Sequence, residues 1–247
     1  MSKGAALITG ASSGIGAELA KLCAAAGYDV TLVARHPAQL DLRSHNIQVR
    51  VLTADLADPA APRAIFEATG PVDILVNNAG FGLRGSFAET NWETESQMIQ
   101  VNVTALAHLT KLYLPGMIAR RSGRILNVAS TAAFVPGPCM AMYYASKAMV
   151  LSFTLAIAAE LEGTGVTATV LCPGPTATNF SERAGNARTE LFRKSAMSAA
   201  DVAREGFDAM MAGKPEVIAG AKNRWMIWGT RFAPRKMLAG ITKKLNS

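Results

Sequence analysis

Tyr143, Lys147 and Ser130 are the residues whose types and spacing point most directly to chemistry. Lys147 follows Tyr143 by four positions, and Ser130 precedes Tyr143 by thirteen. Side chains four positions apart share a face of a helix, so we expect the Lys147 ammonium beside the Tyr143 phenol. A phenol ordinarily loses its proton at about pH 10, and a fixed cation lowers that pKa because it favours the phenolate. The spacing therefore predicts that Tyr143 exchanges a proton with a substrate oxygen near neutral pH.

Tyr144 is the competing phenol. It pairs at four positions with Ala148 and so lacks a neighbouring cation. We assign Tyr144 to the lining of a substrate site or to the core.

A glycine-rich run near the N-terminus predicts a nucleotide site. It leaves the apolar stretch Ala5–Thr9 and opens a helical pattern. Backbone amides of such a turn approach a pyrophosphate closely, and the helix N-terminus favours its negative charge. The residues of this run that we assign to a cofactor are Gly10, Ser12, Ser13, Gly14, Ile15 and Gly16. The spacing differs from the Gly-x-Gly-x-x-Gly fingerprint, so a tight strand-to-helix turn without a ligand is the alternative.

The same run also fits a hydrolase motif. Gly10 to Gly14 satisfies Gly-x-Ser-x-Gly, the nucleophile elbow of α/β-hydrolases. Such an enzyme needs an acid and then a histidine downstream of its serine, late in the fold. The three histidines are His36, His45 and His108, and the last half of the chain contains none. This order makes the hydrolase reading the weakest of the alternatives.

Arg35 bears on the choice between two dinucleotides. In a dinucleotide fold, a carboxylate at the end of the second strand binds the ribose 2′-hydroxyl of NAD, whereas a nearby Arg binds the 2′-phosphate of NADP. Here Ala34 is followed by Arg35 and His36, and Arg35 offers a planar donor fork to a phosphate. We expect NADP (NADPH) rather than NAD, with an ordinary solvated loop cation as the alternative role of Arg35.

Alternating strand-like and helix-like segments predict the fold class. Apolar runs separated by helix-period segments are typical of a parallel sheet covered on both faces. The predicted strands are Ala5–Thr9, Val30–Ala34, Val49–Thr53, Ile74–Asn77, Arg124–Ala129, Thr167–Cys172 and Glu216–Ala219. The predicted helices are Gly14–Ala26, Ala60–Ala68, a long segment from Trp92 to Arg120, Tyr143–Glu162 and Ala199–Met211. Between Arg35 and Ile47 the connection is short and contains Pro37, so no full crossover helix is expected there. We predict an α/β fold: a single-domain, doubly wound Rossmann-type parallel sheet of about seven strands with helices on both faces.

Composition bounds the domain count and the compartment. A chain of 247 residues that is 50% hydrophobic can bury one large core, so we predict a catalytic domain over residues 1–221 and a tail over 222–247. We expect no secretory leader, and the apolar run Ala148–Ala159 is too short to span a bilayer. The three cysteines show no paired spacing, which indicates neither disulfides nor a metal cluster. A cytoplasmic protein is expected.

The positive charge is concentrated in the tail. Residues 222–247 hold seven of the 25 basic residues and none of the 18 acidic ones, so the rest of the chain carries equal numbers of each sign. Nucleic-acid binding is therefore not expected. Apolar residues Met237, Leu238, Ile241 and Leu245 recur at helical spacing between cations, and Pro234 suits the first turn. We expect this amphipathic helix to pack on the body or on a partner subunit. Binding to an anionic membrane, helped by Trp225 and Trp228, is the less favoured alternative.

Taken in order along the chain, these motifs resemble those of the short-chain dehydrogenase/reductases over essentially the whole length. The matching residues are Thr9–Gly16, Asp55 and Leu56, Asn77–Gly80, Asn102, Ser130, Tyr143, Lys147, Pro173 and Gly174. The resemblance implies that Tyr143 is the general acid/base and that Ser130 holds the substrate oxygen. It implies that Lys147 binds the nicotinamide ribose and depresses the Tyr143 pKa, and that Asn102 holds a water in a proton relay.

The resemblance also implies cofactor contacts. Asp55, followed by Leu56, would bind the adenine amino group, and the Asn77–Gly80 turn would lie along the adenosine ribose through Asn78, Ala79 and Gly80. The segment that would border the nicotinamide contributes Pro173, Gly174, Thr176 and Thr178. In this family, the hydroxyl at the position of Thr178 is a plausible partner of the carboxamide.

These observations together predict an NADP-dependent oxidoreductase that transfers a hydride between the nicotinamide and a carbonyl or secondary alcohol. The uncharged segment Thr131–Met142 predicts an apolar, adaptable wall of the substrate cleft, and the resemblance implies that Thr176–Ser198 closes over it. Arg84, Arg183 and Arg188 are candidates for an acidic substrate group. The resemblance implies a homodimer or homotetramer built on the two long helices. A regulatory or scaffold protein that binds the nucleotide without turnover is the alternative function.

Overall fold

A parallel sheet of seven strands forms the centre of the molecule. The computed structural model describes residues 2–36, 40, 42, 47–178 and 196–246. The strands are β1 (Ala5–Thr9), β2 (Asp29–Ala34), β3 (Val49–Thr53), β4 (Ile74–Asn77), β5 (Gly123–Val128), β6 (Val166–Cys172), β7 (Thr176–Ala177), β8 (Met197–Ser198) and β9 (Glu216–Ile218). The central sheet has the order β3-β2-β1-β4-β5-β6-β9, and every neighbouring pair is parallel. The two-residue strands β7 and β8 pair separately.

Helices cover both faces of this sheet. They are α1 (Gly14–Ala25), α2 (Ala61–Thr69), α3 (Trp92–Ile99), α4 (Leu106–Ala119), α5 (Ala141–Glu160), α6 (Ala199–Met211), α7 (Ala221–Thr230) and α8 (Arg235–Asn246). Successive strand residues point to opposite faces, so Ile8 packs in one core with residues of α1 and α6. Leu7 packs in a second core with residues of α2, α4 and α5. The predicted doubly wound fold is confirmed.

Two predicted helical segments differ in detail from the structure. The long segment predicted from Trp92 to Arg120 is helical, but a π-helical stretch, Gln100–Ala105, separates α3 from α4. The helix α7 was not predicted, because its apolar residues show no single buried stripe and it directly follows Gly220. Most of the connection between Arg35 and Ile47 lies outside the described residues.

By length and composition alone, α5 could cross a bilayer, and it is the only described helix of that kind. It is longer than the apolar run that the sequence predicted to be too short for a span. In the fold it contacts β6, and its Lys147 Nζ donates to the Val128 carbonyl of β5. Its Thr154 hydroxyl accepts from the Asn127 side chain of β5. The helix thus lies along the sheet and brings Tyr143 and Lys147 to it.

The tail helix α8 packs on the body, and two of its uncharged polar side chains make hydrogen bonds there. The Thr242 hydroxyl donates to the Pro136 carbonyl at 2.6 Å, and the Asn246 amide donates to the Pro138 carbonyl at 2.9 Å. The apolar stripe is divided: Leu238 is half-buried and Leu245 lines the cavity, whereas Met237 is 52% exposed and Ile241 48% exposed. The body offers backbone carbonyls at this contact, so the helix turns its hydrogen-bonding side inward to pair with them.

Candidate active site

A cavity of about 510 Å³ lies at the carboxyl ends of the central strands. The chain leaves β1 toward β2 on one side and crosses to β4 on the other, so the strand order reverses between β1 and β4. In open α/β sheets such a reversal leaves a crevice where ligands bind. The glycine-rich run and Tyr143 both line this cavity.

Hydrogen bonds from Thr9 and Asn78 hold the glycine-rich run against the turn after β4. The Thr9 hydroxyl accepts from the backbone amides of Asn78 and Ala79, at 3.0 and 3.1 Å. The Asn78 side-chain amide donates to the carbonyls of Thr9 and Gly10. Gly10 has φ +65°, and a Cβ there would lie 2.8 Å from the Ala79 Cα. Both the positive φ and the close approach require glycine at this position.

The N-terminus of α1 faces the cavity through the same run. Ser12, Ser13, Gly14 and Ile15 line the cavity, and the Ser13 side chain makes no capping hydrogen bond to the helix. No acidic residue lies in the first turn of α1. The positive end of the helix dipole is therefore available to an anion such as a pyrophosphate.

Arg35 and Asp55 line the end of the cavity beyond β2 and β3. Arg35 follows β2 directly and its side chain is exposed, as is that of Asp55. One carboxylate oxygen of Asp55 accepts from the Ala57 amide at 3.0 Å, which fixes the turn after β3. The buried Leu56 completes this wall. A cation and a carboxylate therefore stand at the part of the cavity farthest along the sheet from Tyr143.

Ser130, Tyr143 and Lys147 converge beside β5. Ser130 follows this strand and caps the 3-10 turn Thr131–Phe134, where its hydroxyl accepts from the Ala132 amide at 3.1 Å. The Ser130 and Tyr143 hydroxyls share a hydrogen bond. Lys147 Nζ lies 5.9 Å from the centroid of the Tyr143 ring. An ammonium has three N–H donors, and one of them serves the Val128 carbonyl at 2.9 Å.

Burial sets the protonation of this group. It raises the pKa of Tyr143 to about 12, although the hydrogen bond with Ser130 lowers it. Burial also lowers the pKa of Lys147 to about 8. Burial disfavours the charged phenolate of Tyr143. This effect exceeds the stabilisation of the phenolate by Lys147, whose Nζ donates to the Val128 carbonyl instead. The prediction that Tyr143 has a depressed pKa is therefore wrong for the chain by itself.

Asn102 lies behind the cavity wall, in the π-helical stretch between α3 and α4. It is completely buried, and its side-chain oxygen accepts from the Phe81 amide at 3.0 Å. Its amide donates to the Phe81 carbonyl and to the Ser146 hydroxyl. A π-bulge rotates side chains out of the regular helical register and occurs often at functional sites. Here it directs Asn102 toward the chain that follows Gly80.

The segment after β6 closes the cavity opposite the glycine-rich run. Thr176 is buried and its hydroxyl donates to the Gly174 carbonyl at 2.9 Å. A Cβ on Gly14 would lie 2.9 Å from the Thr178 methyl group, so the two walls nearly touch there. A ligand in the cavity would be held between them.

Eighteen of the twenty residues predicted for the site line this one cavity. They are Gly10, Ser12, Ser13, Gly14, Ile15, Arg35, Asp55, Leu56, Asn78, Ala79, Gly80, Ser130, Tyr143, Lys147, Pro173, Gly174, Thr176 and Thr178. Gly16 and Asn102 do not line it. A Cβ on Gly16 would lie 2.4 Å from the Gly10 carbonyl oxygen, so this glycine allows α1 to pack against the run rather than contacting a ligand.

The tail contributes a wall that the sequence did not predict. Leu245 and Asn246 line the cavity together with Tyr144, whose hydroxyl donates to the Asn246 side-chain oxygen at 3.3 Å. Arg84 Nε donates to the Asn246 carbonyl, so this predicted anion-binding side chain serves the tail. Nothing in the local pattern around Asn246 signals a contact with residues more than 100 positions away. Arg183, Arg188 and most of Thr176–Ser198 lie outside the described residues.

The predicted apolar wall is present in part. Within Thr131–Met142, the cavity is lined by Thr131, Ala132 and Met140. Met140 packs with Tyr143 and Met98 in a small hydrophobic cluster. The substrate end of the cavity therefore combines the apolar Ala132, Met140 and Leu245 with the hydroxyls of Ser130, Tyr143 and Tyr144 and the Asn246 side chain.

The cavity fits a nicotinamide dinucleotide. A glycine-lined turn and a helix N-terminus suit a pyrophosphate, and Arg35 and Asp55 offer polar groups at one end. At the other end, a hydroxyl pair and an ammonium lie together. The residues present match the polar groups of such a cofactor in order along the crevice.

Comparisons with known proteins agree with this arrangement. The short chain dehydrogenase family model matches residues 4–189. Dehydrogenase/reductase SDR family member 7B of Mus musculus is 34% identical over 231 residues, which cover 86% of this chain and 72% of that protein.

Two solved structures share the fold and hold different dinucleotides. The short-chain dehydrogenase from Sphingobium yanoikuyae in complex with NADPH is 31% identical, with a TM-score of 0.80 over 92% of this chain and 93% of that one. A short chain dehydrogenase/reductase from Burkholderia phymatum in complex with NAD is 26% identical, with a TM-score of 0.82 over 92% of both chains.

Proposed function

Since this chain belongs to the short-chain dehydrogenase/reductase family, which is a family of oxidoreductases, we propose that it interconverts a carbonyl and a secondary alcohol on a small apolar substrate, with NADP as cofactor. The observation that carries the proposal is the convergence of Ser130, Tyr143 and Lys147 in the same cavity as the glycine-rich run. Proton transfer and dinucleotide binding must occur side by side in such an enzyme, and this cavity brings the groups for both together.

Each residue of the group has a role that follows from its contacts. Ser130 and Tyr143 share a hydrogen bond, so a substrate oxygen between them would accept from both hydroxyls. Tyr143 carries its proton at neutral pH, so it can serve as the acid that protonates a carbonyl oxygen. Bound NADPH would supply the hydride.

Lys147 and Asn102 support this chemistry in different ways. Lys147 has N–H donors beyond the one given to Val128, and these suit the hydroxyls of a nicotinamide ribose. The Asn102 side chain pairs with the backbone of Phe81 and with Ser146, so we propose that it fixes the wall beside Gly80. The water relay implied for Asn102 would run through the acceptor capacity that remains on its side-chain oxygen.

The preference for NADP rests on Arg35. This side chain lines the adenosine end of the cavity and directly follows β2, where a carboxylate would repel a 2′-phosphate. Asp55 stands one strand further along and accepts from the Ala57 amide, which leaves Arg35 as the group next to the ribose position. A guanidinium binds phosphate by charge-assisted, bidentate hydrogen bonds.

The substrate class follows from the cavity beyond Tyr143. Met140, Leu245 and the Tyr144 ring are apolar, and Arg84 is engaged by the Asn246 carbonyl. A neutral, hydrophobic aldehyde, ketone or secondary alcohol fits these walls better than an acidic substrate.

Association through α5 is part of the proposal. Ala145, Met149, Ser152 and Ala159 are exposed along one side of this helix and carry no charge. Such a face suits a twofold contact with a second copy, giving a homodimer or a homotetramer. The three cysteines are free thiols, which suits the reducing environment of the cytoplasm, where we place the enzyme.

A carbonyl screen tests the proposal. The intact protein is incubated with NADPH and a panel of apolar aldehydes and ketones, and oxidation of the cofactor is followed by its absorbance. We expect turnover of at least one carbonyl compound, and faster turnover with NADPH than with NADH. If the protein binds NADPH but turns over no carbonyl compound with NADPH and no alcohol with NADP, the result would instead support a regulatory protein on the same fold.

A further inference from the structure

Large exposed apolar side chains lie on both α7 and α8, which follow each other in the chain. We call this part of the molecule the tail surface; its apolar residues are Trp225, Met226, Trp228, Phe232, Met237 and Ile241. Trp225 is 72% exposed, Trp228 53% and Phe232 73%. Single exposed apolar side chains are common on protein surfaces, but large ones in contact with one another, as Trp225, Trp228 and Phe232 are, mark an interaction site.

The three aromatic side chains of the tail surface form one cluster. Trp225, Trp228 and Phe232 follow one another at spacings of three and four, which places them on one side of the chain at α7. The rings of Trp225 and Trp228 lie 5.9 Å apart at 83°, and those of Trp228 and Phe232 lie 5.0 Å apart at 65°. Edge-to-face contacts fix the rings while leaving them in solvent.

The orientation of α8 adds to this surface. Thr242 and Asn246 are buried against the body, so Met237 and Ile241 are left outside. The hydrogen bonds to Pro136 and Pro138 hold this side of the helix against the body. Met237 and Ile241 are therefore left in solvent, together with the cations of the helix.

The charges around the tail surface have a single sign. The chain from Lys222 onward carries seven Lys/Arg and no Asp or Glu. Arg224 pairs with Glu205 of α6 at 3.0 Å. Lys222, Arg231, Arg235 and Lys236 are exposed beside the apolar residues. Aromatic and apolar residues ringed by cations match the chemistry of an anionic bilayer surface.

A second copy of the chain fits this surface less well. A twofold contact would bring the same patch of each copy together, and cations would then face cations without a carboxylate from the tail to offset them. The uncharged side of α5 does not have this problem. We propose that the tail surface docks the protein on an anionic lipid bilayer, with the aromatic cluster at the depth of the headgroups.

Tryptophan fluorescence can report on this docking directly. The chain has three tryptophans, Trp92, Trp225 and Trp228, so Trp92→Phe leaves only the two of the tail surface. On adding vesicles of phosphatidylcholine mixed with phosphatidylserine, we expect the emission of this variant to shift to shorter wavelength and the protein to sediment with the vesicles. Vesicles of phosphatidylcholine alone should give a weaker effect, and added salt should release the protein.

Two further variants test the two components separately. Trp225→Ser combined with Trp228→Ser and Phe232→Ser removes the aromatic cluster, and Arg235→Glu combined with Lys236→Glu reverses two charges. Each should weaken sedimentation with anionic vesicles by about tenfold or more. The matched controls are Trp92→Ser, an exposed aromatic on α3, and Arg63→Glu combined with Arg204→Glu, on α2 and α6. These controls should bind as the unaltered protein does.

Either of two results would overturn the proposal. The first is no sedimentation with anionic vesicles at low salt, or sedimentation that the aromatic and charge variants leave unchanged. The second is a smaller oligomer in light scattering for the aromatic variant, which would identify the tail surface as a contact between copies of this chain. Both readouts are independent of turnover, so they hold whether or not a substrate has been found.

Discussion

At the residue scale, the reactivity of Tyr143 and Lys147 depends on their burial. Tyr143 is 9% exposed and Lys147 is 4% exposed, and burial favours the neutral form of each. The phenol therefore enters the reaction carrying its proton, whereas the amine titrates at about 8, close to physiological pH. Acceptors that bind the ammonium would raise the Lys147 pKa again, and the hydroxyls and phosphates of a dinucleotide are such acceptors.

The lowered pKa of Lys147 predicts a pH-dependent stability. Between about pH 8 and the ordinary lysine value of 10.5, the unfolded chain binds the proton and the folded chain does not, so this residue's contribution to the free energy of unfolding rises with pH. Lys147→Met removes the cost of burying a charged ammonium at every pH. In urea unfolding between pH 7 and pH 10, the free energy of unfolding of the unaltered protein should increase with pH relative to that of the variant. Parallel curves would show that Lys147 has an ordinary pKa.

Cofactor choice is a second property set by one residue. Arg35→Asp replaces the cation at the adenosine end with a carboxylate that repels a 2′-phosphate and binds a 2′-hydroxyl. We expect the unaltered protein to bind NADPH at least several-fold more tightly than NADH, and the variant to reverse this order. Fluorescence titration with both cofactors measures the two affinities, and Arg63→Asp on α2 is the matched control. Equal affinities in the unaltered protein would refute the role given to Arg35.

Most of the residues predicted for the site line the cavity because they belong to local motifs. Tyr143 and Lys147 share a helix face, and Gly10 to Ile15 form one continuous turn, so spacing alone brings them together. The raised pKa of Tyr143 could not be predicted in this way. It depends on how deeply α5 packs on the sheet and on the Val128 carbonyl, which draws the Lys147 ammonium away.

At the scale of elements, the end of α8 acts as a wall of the substrate cavity. Asn246 donates to the Pro138 carbonyl, and its side-chain oxygen accepts from Tyr144. Gly137 lies under the Tyr144 ring, where a Cβ would come within 2.1 Å of it. These contacts join the tail, the segment after Ser130 and the start of α5 around one part of the cavity.

The tail wall predicts a change in substrate binding. Asn246→Ala removes the partner of the Pro138 carbonyl and of the Tyr144 hydroxyl, so the wall loosens while Ser130 and Tyr143 keep their contact. We expect KM for the carbonyl substrate to rise several-fold with a smaller change in kcat, as when a binding contact rather than a catalytic one is lost. Steady-state kinetics would separate the change in KM from the change in kcat. The comparison variant is Asn223→Ala, at a buried asparagine on α7. An equal loss of kcat and no change in KM would contradict the role of a wall.

Element positions followed the hydrophobic periodicity where each element has one buried face. The seven strands of the central sheet and the helices α1, α2, α5 and α6 were predicted close to their observed bounds. The strands β7 and β8 were not predicted, and α3 and α4 were predicted as one helix. The orientation of α8 was not predicted, because periodicity identifies an apolar stripe but does not say which side meets the body. Hydrogen bonds to Pro136 and Pro138 decide the orientation, and they join segments about 100 positions apart.

At the scale of the whole molecule, two uncovered surfaces have different characters. The side of α5 with Met149 and Leu155 is uncharged, whereas the tail surface is basic. We assign the first to contacts between copies and the second to a bilayer. An assembly formed through α5 would leave the tail surfaces of its copies free to bind lipid together.

The oligomer contact can be tested by adding charge to α5. Met149→Glu combined with Leu155→Glu places carboxylates on side chains that are 37% exposed, so the fold should tolerate them. A twofold contact would bring each carboxylate near its copy, and the assembly should dissociate. Light scattering should show a dimer or tetramer for the unaltered protein and a smaller species for the variant, while Phe87→Glu, at an exposed site elsewhere, should change nothing. A stable monomer before any substitution would refute the assignment.

The most direct test of the central claim compares two neighbouring phenols. Tyr143 shares a hydrogen bond with Ser130, and the centroid of its ring lies 5.9 Å from Lys147 Nζ. The Tyr144 hydroxyl instead donates to Asn246 in the tail. With a carbonyl substrate from the screen, Tyr143→Phe should lower kcat by at least ~10²-fold, the scale of acid–base assistance, and leave NADPH binding intact. Tyr144→Phe should keep kcat within a few-fold of the unaltered enzyme. Full activity in Tyr143→Phe, or an equal loss in both variants, would contradict proton transfer by Tyr143.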